Sequence, residues 1–282
     1  HPNYGQGAIL SSRAVLTDLA GNKKDGVASS TTLTIDTVKP TASLSYTVGG
    51  SPVSRVKQGT GVLVTATLSE SVAAVPLLQI SASGSNAVSA VGMTFVSSTS
   101  YTYSWTVGSG DGNTNFVLSA AKDLAGNVIV ATPTAGGIII VDNTAPSAFT
   151  TGVVTAVGGE VQAGYWNGSN SGLTVSVPIA DDASLTGGTV QVQGRVGSGS
   201  YSALGSVVAL SSGDLAKDKV ITISPSQLAG HPNYGQGAVL SFRAVLTDLA
   251  GNKKDGSVSS TTLTIDTIIP VDFTTGVVTA VG

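Results

Sequence analysis

The 282-residue chain has no cysteine, one methionine, two histidines and two tryptophans, and its charged residues make up 10% against about 25% in a typical globular protein. Without cysteine there are no disulfides, no thiolate metal sites and no thiol nucleophile. Its 13 Lys and Arg are scattered and its net charge is -3, so there is no basic stripe and nucleic acid is not an expected partner. No apolar run approaches the roughly 18–20 residues of a membrane-spanning helix. The positive mean hydropathy therefore reflects many short apolar segments. Sustained helical periodicity is missing too. The low charge leaves two readings of the surface open: a Ser/Thr surface, hydrated or glycosylated, or one partly covered by neighbouring copies. Asn167-Gly168-Ser169 fits the N-glycosylation pattern.

What is present is Gly, Ser, Thr and Val in segments of period two. Leu173, Val175, Val177 and Ile179 alternate with Thr174, Ser176 and Pro178, and Leu240, Phe242, Ala244 and Leu246 alternate with Ser241, Arg243 and Val245, the pattern of half-buried strands. Strands are predicted over 41–48, 61–69, 75–83, 89–97, 100–107, 115–122 and 128–141, then over 149–156, 173–179, 188–196, 204–210, 218–224, 240–246 and 257–265. Seven short strands in little over 100 residues predict an all-β chain of tandem immunoglobulin-like β-sandwich domains, without the disulfide of antibody domains. Trp105 shares one side of its strand with Tyr101, Tyr103 and Val107, which places it in the core.

The chain repeats itself. Residues 1–37 return as 231–267 with four differences, Ile9/Val239, Ser12/Phe242, Val27/Ser257 and Ala28/Val258, and FTTGVVTAVG occurs at 149–158 and 273–282. Asp-Leu-Ala-Gly-Asn occurs three times, at 18–22, 123–127 and 248–252. In each case 14 or 15 residues separate its Asn from a second acidic mark, Asp36, Asp142 or Asp266, and a Pro follows four residues later. Cutting at these marks gives four pieces: 1–36 as the C-terminal part of a long-type repeat, 37–142 as a short-type repeat, 143–266 as a long-type repeat, and 267–282 as the start of another long one. The long type carries extra residues around 158–172 and 225–238. The chain is expected to be a window on a longer array.

Asp-Leu-Ala-Gly-Asn between strands, Val-Asp-Asn-Thr-Ala-Pro at 141–146, Gly-Ser-Gly-Asp-Gly at 108–112 and Leu-Ser-Glu at 68–70, recurring in order, resemble the bacterial Ig-like repeats that build very long secreted adhesins and other surface proteins. The resemblance covers essentially the whole chain. It implies an extracellular or cell-surface location and repeats that serve as spacers, with calcium at their junctions stiffening the array.

In a sandwich of this kind the linker before strand A and the B–C and F–G loops share one pole. For the short repeat that pole gathers Asp36, Glu70, and Asp123 with Asn127. For the long repeat it gathers Asp142 and Asn143, Asp181 and Asp182, and Asp248 with Asn252. The first piece retains Asp18 and Asn22, and Asp266 is the closing acid of the long repeat. Calcium takes six to eight oxygen ligands, roughly what such loops offer, whereas zinc favours His or Cys. The competing reading needs no metal: Asp opens turns by bonding its own backbone, and Gly and Asn tolerate left-handed conformations.

No catalytic role is expected. His1 and His231 are one residue repeated, with no Ser or carboxylate at triad spacing, and Asp181 and Asp182 are adjacent, so in extended chain they point apart. Gly-Ser-Gly-Asp-Gly is followed by neither Lys-Ser/Thr nor a helix, as a phosphate loop requires. The leading functional expectation is a calcium-stiffened stalk whose partners are neighbouring repeats of the same chain. Two alternatives stand beside it. One is a self-assembling filament or sheath in which identical chains pack laterally. The other is a glycan-binding module using Tyr165 and Trp166 as its aromatic platform.

Overall fold

The computed structural model describes residues 5–276. His1, and residues 277–282 of the second FTTGVVTAVG copy, lie outside that range. The chain divides between Asn143 and Thr144 into two compact units, and each contains an immunoglobulin-like sandwich with its own core.

In the first unit, Ala42–Val48, Gly61–Leu68, Ser100–Thr106 and Thr94–Ser97 lie side by side in one sheet. Val88–Gly92, Gln79–Gly84, Gly112–Ser119, Ile138–Val141 and Arg55–Val56 form the other. Strand alternation decides the inward faces. Val62, Val64, Ala66 and Leu68 are buried from Gly61–Leu68, and Thr114, Phe116 and Leu118 from Gly112–Ser119. Between the sheets Trp105 meets Phe116 edge-on at 5.3 Å, the favoured arrangement for two rings.

In the first unit two predicted strands prove to be compound. The run 89–97 is cut by buried Met93 into Val88–Gly92 and Thr94–Ser97, which belong to different sheets. The run 128–141 is strand only over Ile138–Val141. Before that it passes between the sheets' edges, where the Val130 and Thr134 N–H groups donate to the Pro40 and Ala42 carbonyls, and the Leu118 N–H donates to Ala131. An apolar pattern alone does not separate a ladder strand from a segment bonded irregularly to two neighbours. Gly136 ends the passage at φ 69°, where a Cβ would strike the Leu44 carbonyl oxygen.

The second unit repeats the plan. Val154–Val157, Gly172–Ile179 and Lys217–Ile223 form one sheet. Tyr165–Trp166, Thr262–Ile265, Val239–Thr247, Thr189–Val196 and Ser202–Ala203 form the other, with Tyr165–Trp166 parallel to Thr262–Ile265 as Arg55–Val56 is to Ile138–Val141. The extra residues at 158–172 thus contain the counterpart of an existing strand. Those at 225–238 hold the short helix Pro225–Ala229, started by Pro and by a capping box between Ser224 and Gln227.

Residues 5–37 carry two small antiparallel pairs, Ile9–Ser11 with Thr32–Thr34 and Val15–Thr17 with Lys23–Asp25. Most of their apolar side chains face solvent, Leu16 being 73% and Leu33 63% exposed, while Leu10 is half-buried.

Candidate metal centre

All three Asp-Leu-Ala-Gly-Asn segments close into the same loop. The Asp N–H donates to the Asn carbonyl at 3.0, 3.1 and 3.0 Å in chain order. Gly21, Gly126 and Gly251 turn the chain at φ 87°, 98° and 89°, where glycine has no Cβ to clash. Inside each loop the Asp Oδ1 accepts the Asn N–H at 2.8 Å, and Oδ2 accepts the Asn side-chain amide at 2.8, 2.8 and 2.9 Å. The turn chemistry is therefore fully made. A second use of the carboxylate depends on what is brought beside it.

In the first unit other segments are brought beside it. The loop after Gly61–Leu68 bridges to the Asp-Leu-Ala-Gly-Asn loop through Val72 and Asp123, and the Ala73 N–H donates to the Lys122 carbonyl at 2.8 Å. Asn127 donates from its side chain to the main-chain oxygen of Asp36 at 3.1 Å, fixing the linker at the same pole. Asp36, Glu70 and Asp123 then each offer a carboxylate oxygen, all within 4.8 Å of one another. Asp123 is buried and the other two are half-buried.

The electrostatics record the crowding. Loss of hydration, followed by the charges of Asp36 and Asp123, pushes the Glu70 carboxyl above its ordinary value of 4.5. At Asp123 burial is the largest influence and pushes upward. The hydrogen bonds from Asn127, Gly126 and Ala125 together outweigh it and hold the carboxyl below 3.8. Three carboxylates held together, with Glu70 resisting ionisation, form a cluster that a divalent cation would relieve. Hard oxygen donors without a nearby His or Cys fit calcium, with main-chain oxygens or waters completing its shell.

The remaining predicted residues are engaged differently. Asp18 and Asn22 bond each other in an exposed loop, where the Asn22 side chain, followed by its N–H, holds the Asp18 carboxyl below its ordinary value. Asp142 pairs with Arg55 at 2.9 Å, and its N–H donates to the Val56 carbonyl. Asn143 Oδ1 accepts the Gln58 N–H at 2.6 Å, and its amide donates to the Gly110 carbonyl at 3.1 Å. Both are thus built into the first unit. In the second unit Asp182 caps the 3-10 turn Ala183–Leu185 by accepting the Ser184 N–H, while Asp181 is exposed. Asp248 is buried with Asn252 in its own loop, and the Leu249 N–H joins that loop to the Ser184 carbonyl at 2.9 Å. Within the second unit, among the described residues, no three acidic side chains come within ligating reach of one another.

Three residues that engage these acids and amides, Gln6, Gln236 and Arg55, were not singled out in the sequence. Gln6 donates to Asp36 Oδ1 at 2.8 Å and accepts the Thr37 N–H, and Gln236 repeats this with Asp266 and Thr267. The signal is the Gly-Gln-Gly inside both copies of the duplicated segment, 30 residues before each acid. Arg55, the partner of Asp142, has no comparable signal, whereas Asp111, whose carboxylate accepts the Asn143 N–H, belongs to the Gly-Ser-Gly-Asp-Gly segment at 108–112.

The glycan platform is absent from the described surface, because Trp166 is 3% exposed and belongs to the core while only Tyr165 faces solvent. Asn167 is also occupied: its side chain donates to the Glu160 carbonyl at 2.6 Å and accepts from Ser169, which leaves the sequon folded into its own turn.

No protein-family model matches the chain. No curated protein matches it either. Among solved structures it is similar to the FN domains of chicken CNTN1, at 13% identity over 90% of this chain and 76% of that one, with a TM-score of 0.34. A run of domains from titin gives 13% identity over 92% and 75%, with a TM-score of 0.38. The Yersinia pseudotuberculosis adhesin InvE gives 15% over 80% and 58%, with a TM-score of 0.26. These likenesses concern the fold alone.

Proposed function

We propose that the chain is a structural segment of an extracellular bacterial stalk or surface fibre, in which calcium held by Asp36, Glu70 and Asp123 fastens one repeat to the next. The observation that carries this reading is that the three carboxylates come from three separate segments: the end of one repeat's last strand, a B–C loop and an F–G loop. A cation at that point constrains a linker that a few residues alone would leave free to hinge. The Gln6 and Asn127 hydrogen bonds pre-set the linker, so binding orders little further chain.

The reading assigns no chemistry to the chain beyond holding the ion. The test is calcium titration by calorimetry with melting in calcium and in chelator, together with solution scattering. Binding that raises the melting temperature and narrows the range of scattering-derived conformations supports it; heat-silent titration with identical melting in both conditions overturns it. Assembly into multimers at working concentration would favour the filament reading.

A further inference from the structure

Residues 5–37 and 235–267 have nearly one sequence and keep one register. Leu10 faces Leu33 as Leu240 faces Leu263, and Leu16 faces Lys24 as Leu246 faces Lys254. Their surroundings differ. In the second copy Thr189–Val196 pairs along residues 240–247, from Thr247 opposite Thr189 to Leu240 opposite Val196. Leu240, Phe242, Ala244, Leu246, Leu263 and Ile265 are buried in a core shared with Gly172–Ile179 and Lys217–Ile223. In the first copy, among the described residues, no strand lies along that edge. The ladder breaks into Ile9–Ser11 and Val15–Thr17, and Leu16 and Leu33 are exposed. With the sequence nearly constant, the difference lies in what covers it.

We propose that this face of residues 5–37 is a docking surface for a polypeptide segment of the 144–230 pattern. Such a segment lays its counterpart of Thr189–Val196 antiparallel beside residues 10–17 and closes a sandwich over Leu10, Leu16, Leu33 and Ile35. The second copy identifies the occupant, since the same hairpin is covered there by strands of that pattern. Arg13, already paired with Asp25 at 3.1 Å, stands where Arg243 pairs with Asp255 and stacks over the Tyr201 ring at 4.4 Å.

The four differences between the copies then separate by role. Val239 and Val258 are 43% and 39% exposed and Ser257 is exposed, so either version is accommodated at those positions. Phe242 is 0% exposed, and Ser12 replaces its ring with a hydroxyl. The 5–37 hairpin therefore displaces residues 235–267 from their own cradle only by opening a ring-sized cavity. Ser12 acts as a specificity residue that keeps two nearly identical hairpins from exchanging. The proposal rests on the repeat reading above but not on the metal.

The test is the full chain preceded by a second copy of residues 144–230, in chelator, with and without Ser12→Phe. Hydrogen exchange is read at the amides of 9–17 and 32–35, with those of 239–247 as reference. In the S12F form the first set should slow by about 100-fold or more, with weaker slowing in the parental form, and binding of an apolar dye should fall relative to the unextended chain. Unchanged exchange in both forms would overturn the docking surface. Loss of protection at 239–247 in the parental form would overturn the role of Ser12. Because calcium is absent throughout, failure of the metal reading leaves the outcome unaffected.

Discussion

Asn127 donates its side-chain amide to Asp123 Oδ2 at 2.8 Å and to the main-chain oxygen of Asp36 at 3.1 Å, so one side chain closes a loop and fixes a linker 91 residues away. The loop motif is thereby joined to the acid in the segment that precedes Ala42–Val48. It acts together with the Thr41 N–H, which donates to Ser69 Oγ at 2.9 Å, in keeping Asp36 beside Glu70.

Replacing Asn127 by Ala removes both bonds and leaves the buried Asp123 carboxylate short of a donor. Stability of the first unit should fall by about 2 kcal/mol in chelator. Calcium affinity should fall as well, because the linker must then be ordered on binding. Urea denaturation and calorimetric titration read the two effects separately. A variant with parental calcium affinity would show that the linker bond does not organise the site.

Glu70→Gln separates the metal from the fold. In chelator the substitution removes a carboxylate crowded by Asp36 and Asp123, so stability at neutral pH should hold or rise slightly. In calcium the same substitution should lose most of the stabilisation that the ion confers. Equal loss in both conditions would identify Glu70 as a structural residue without a metal.

The pH dependence has two limbs of opposite sign. Glu70 has a raised value when folded, so its ionised form costs stability at pH above its ordinary 4.5, and that cost is relieved as protons bind. Asp18 and Asp123 have lowered values, so each contributes stability above 3.8 that is lost as pH falls further. The metal-free difference between parent and E70Q should therefore widen as pH rises through 4.5 and vanish below it. In saturating calcium the difference should change sign, the parent becoming the more stable above 4.5. Melting series across pH with and without the ion check both.

The sandwich class was legible because period-two alternation reports which face is buried; of the acidic marks, Asp142 falls at the division between the two compact units, while Asp36 lies inside the first. Trp105 was placed in the core by its neighbours on the strand, and the structure puts it there. The Asp36, Glu70 and Asp123 cluster followed from topology, since loops on one pole must converge. Local competition was not legible. Asp182 is spent as a cap on a 3-10 turn, Asp142 is taken by Arg55, and Trp166 lies inward on a two-residue strand too short to show alternation. Nor does sequence reveal that the same hairpin is covered at 235–267 and bare at 5–37, because burial belongs to the neighbours.

Phe242→Ser imposes the first copy's residue on the second. Phe242 is fully enclosed, opposite Gly194, whose missing side chain makes room beside Leu204 and His231. Removing the ring leaves a cavity that rigid sheets fill poorly and also buries a hydroxyl, so the second unit should lose about 4 kcal/mol. The first unit, with a separate core, should be unaffected. Trp105 and Trp166 lie in different units, so Trp105→Phe and Trp166→Phe backgrounds each leave one indole to report one unfolding transition in urea. A drop confined to the Trp166 transition establishes that position 242 sets how tightly the hairpin seats in its cradle. An equal drop in both would mean the two cores unfold as one, and a drop below about 1 kcal/mol would mean the cradle accepts Ser as readily as Phe, removing the ground for any discrimination by Ser12.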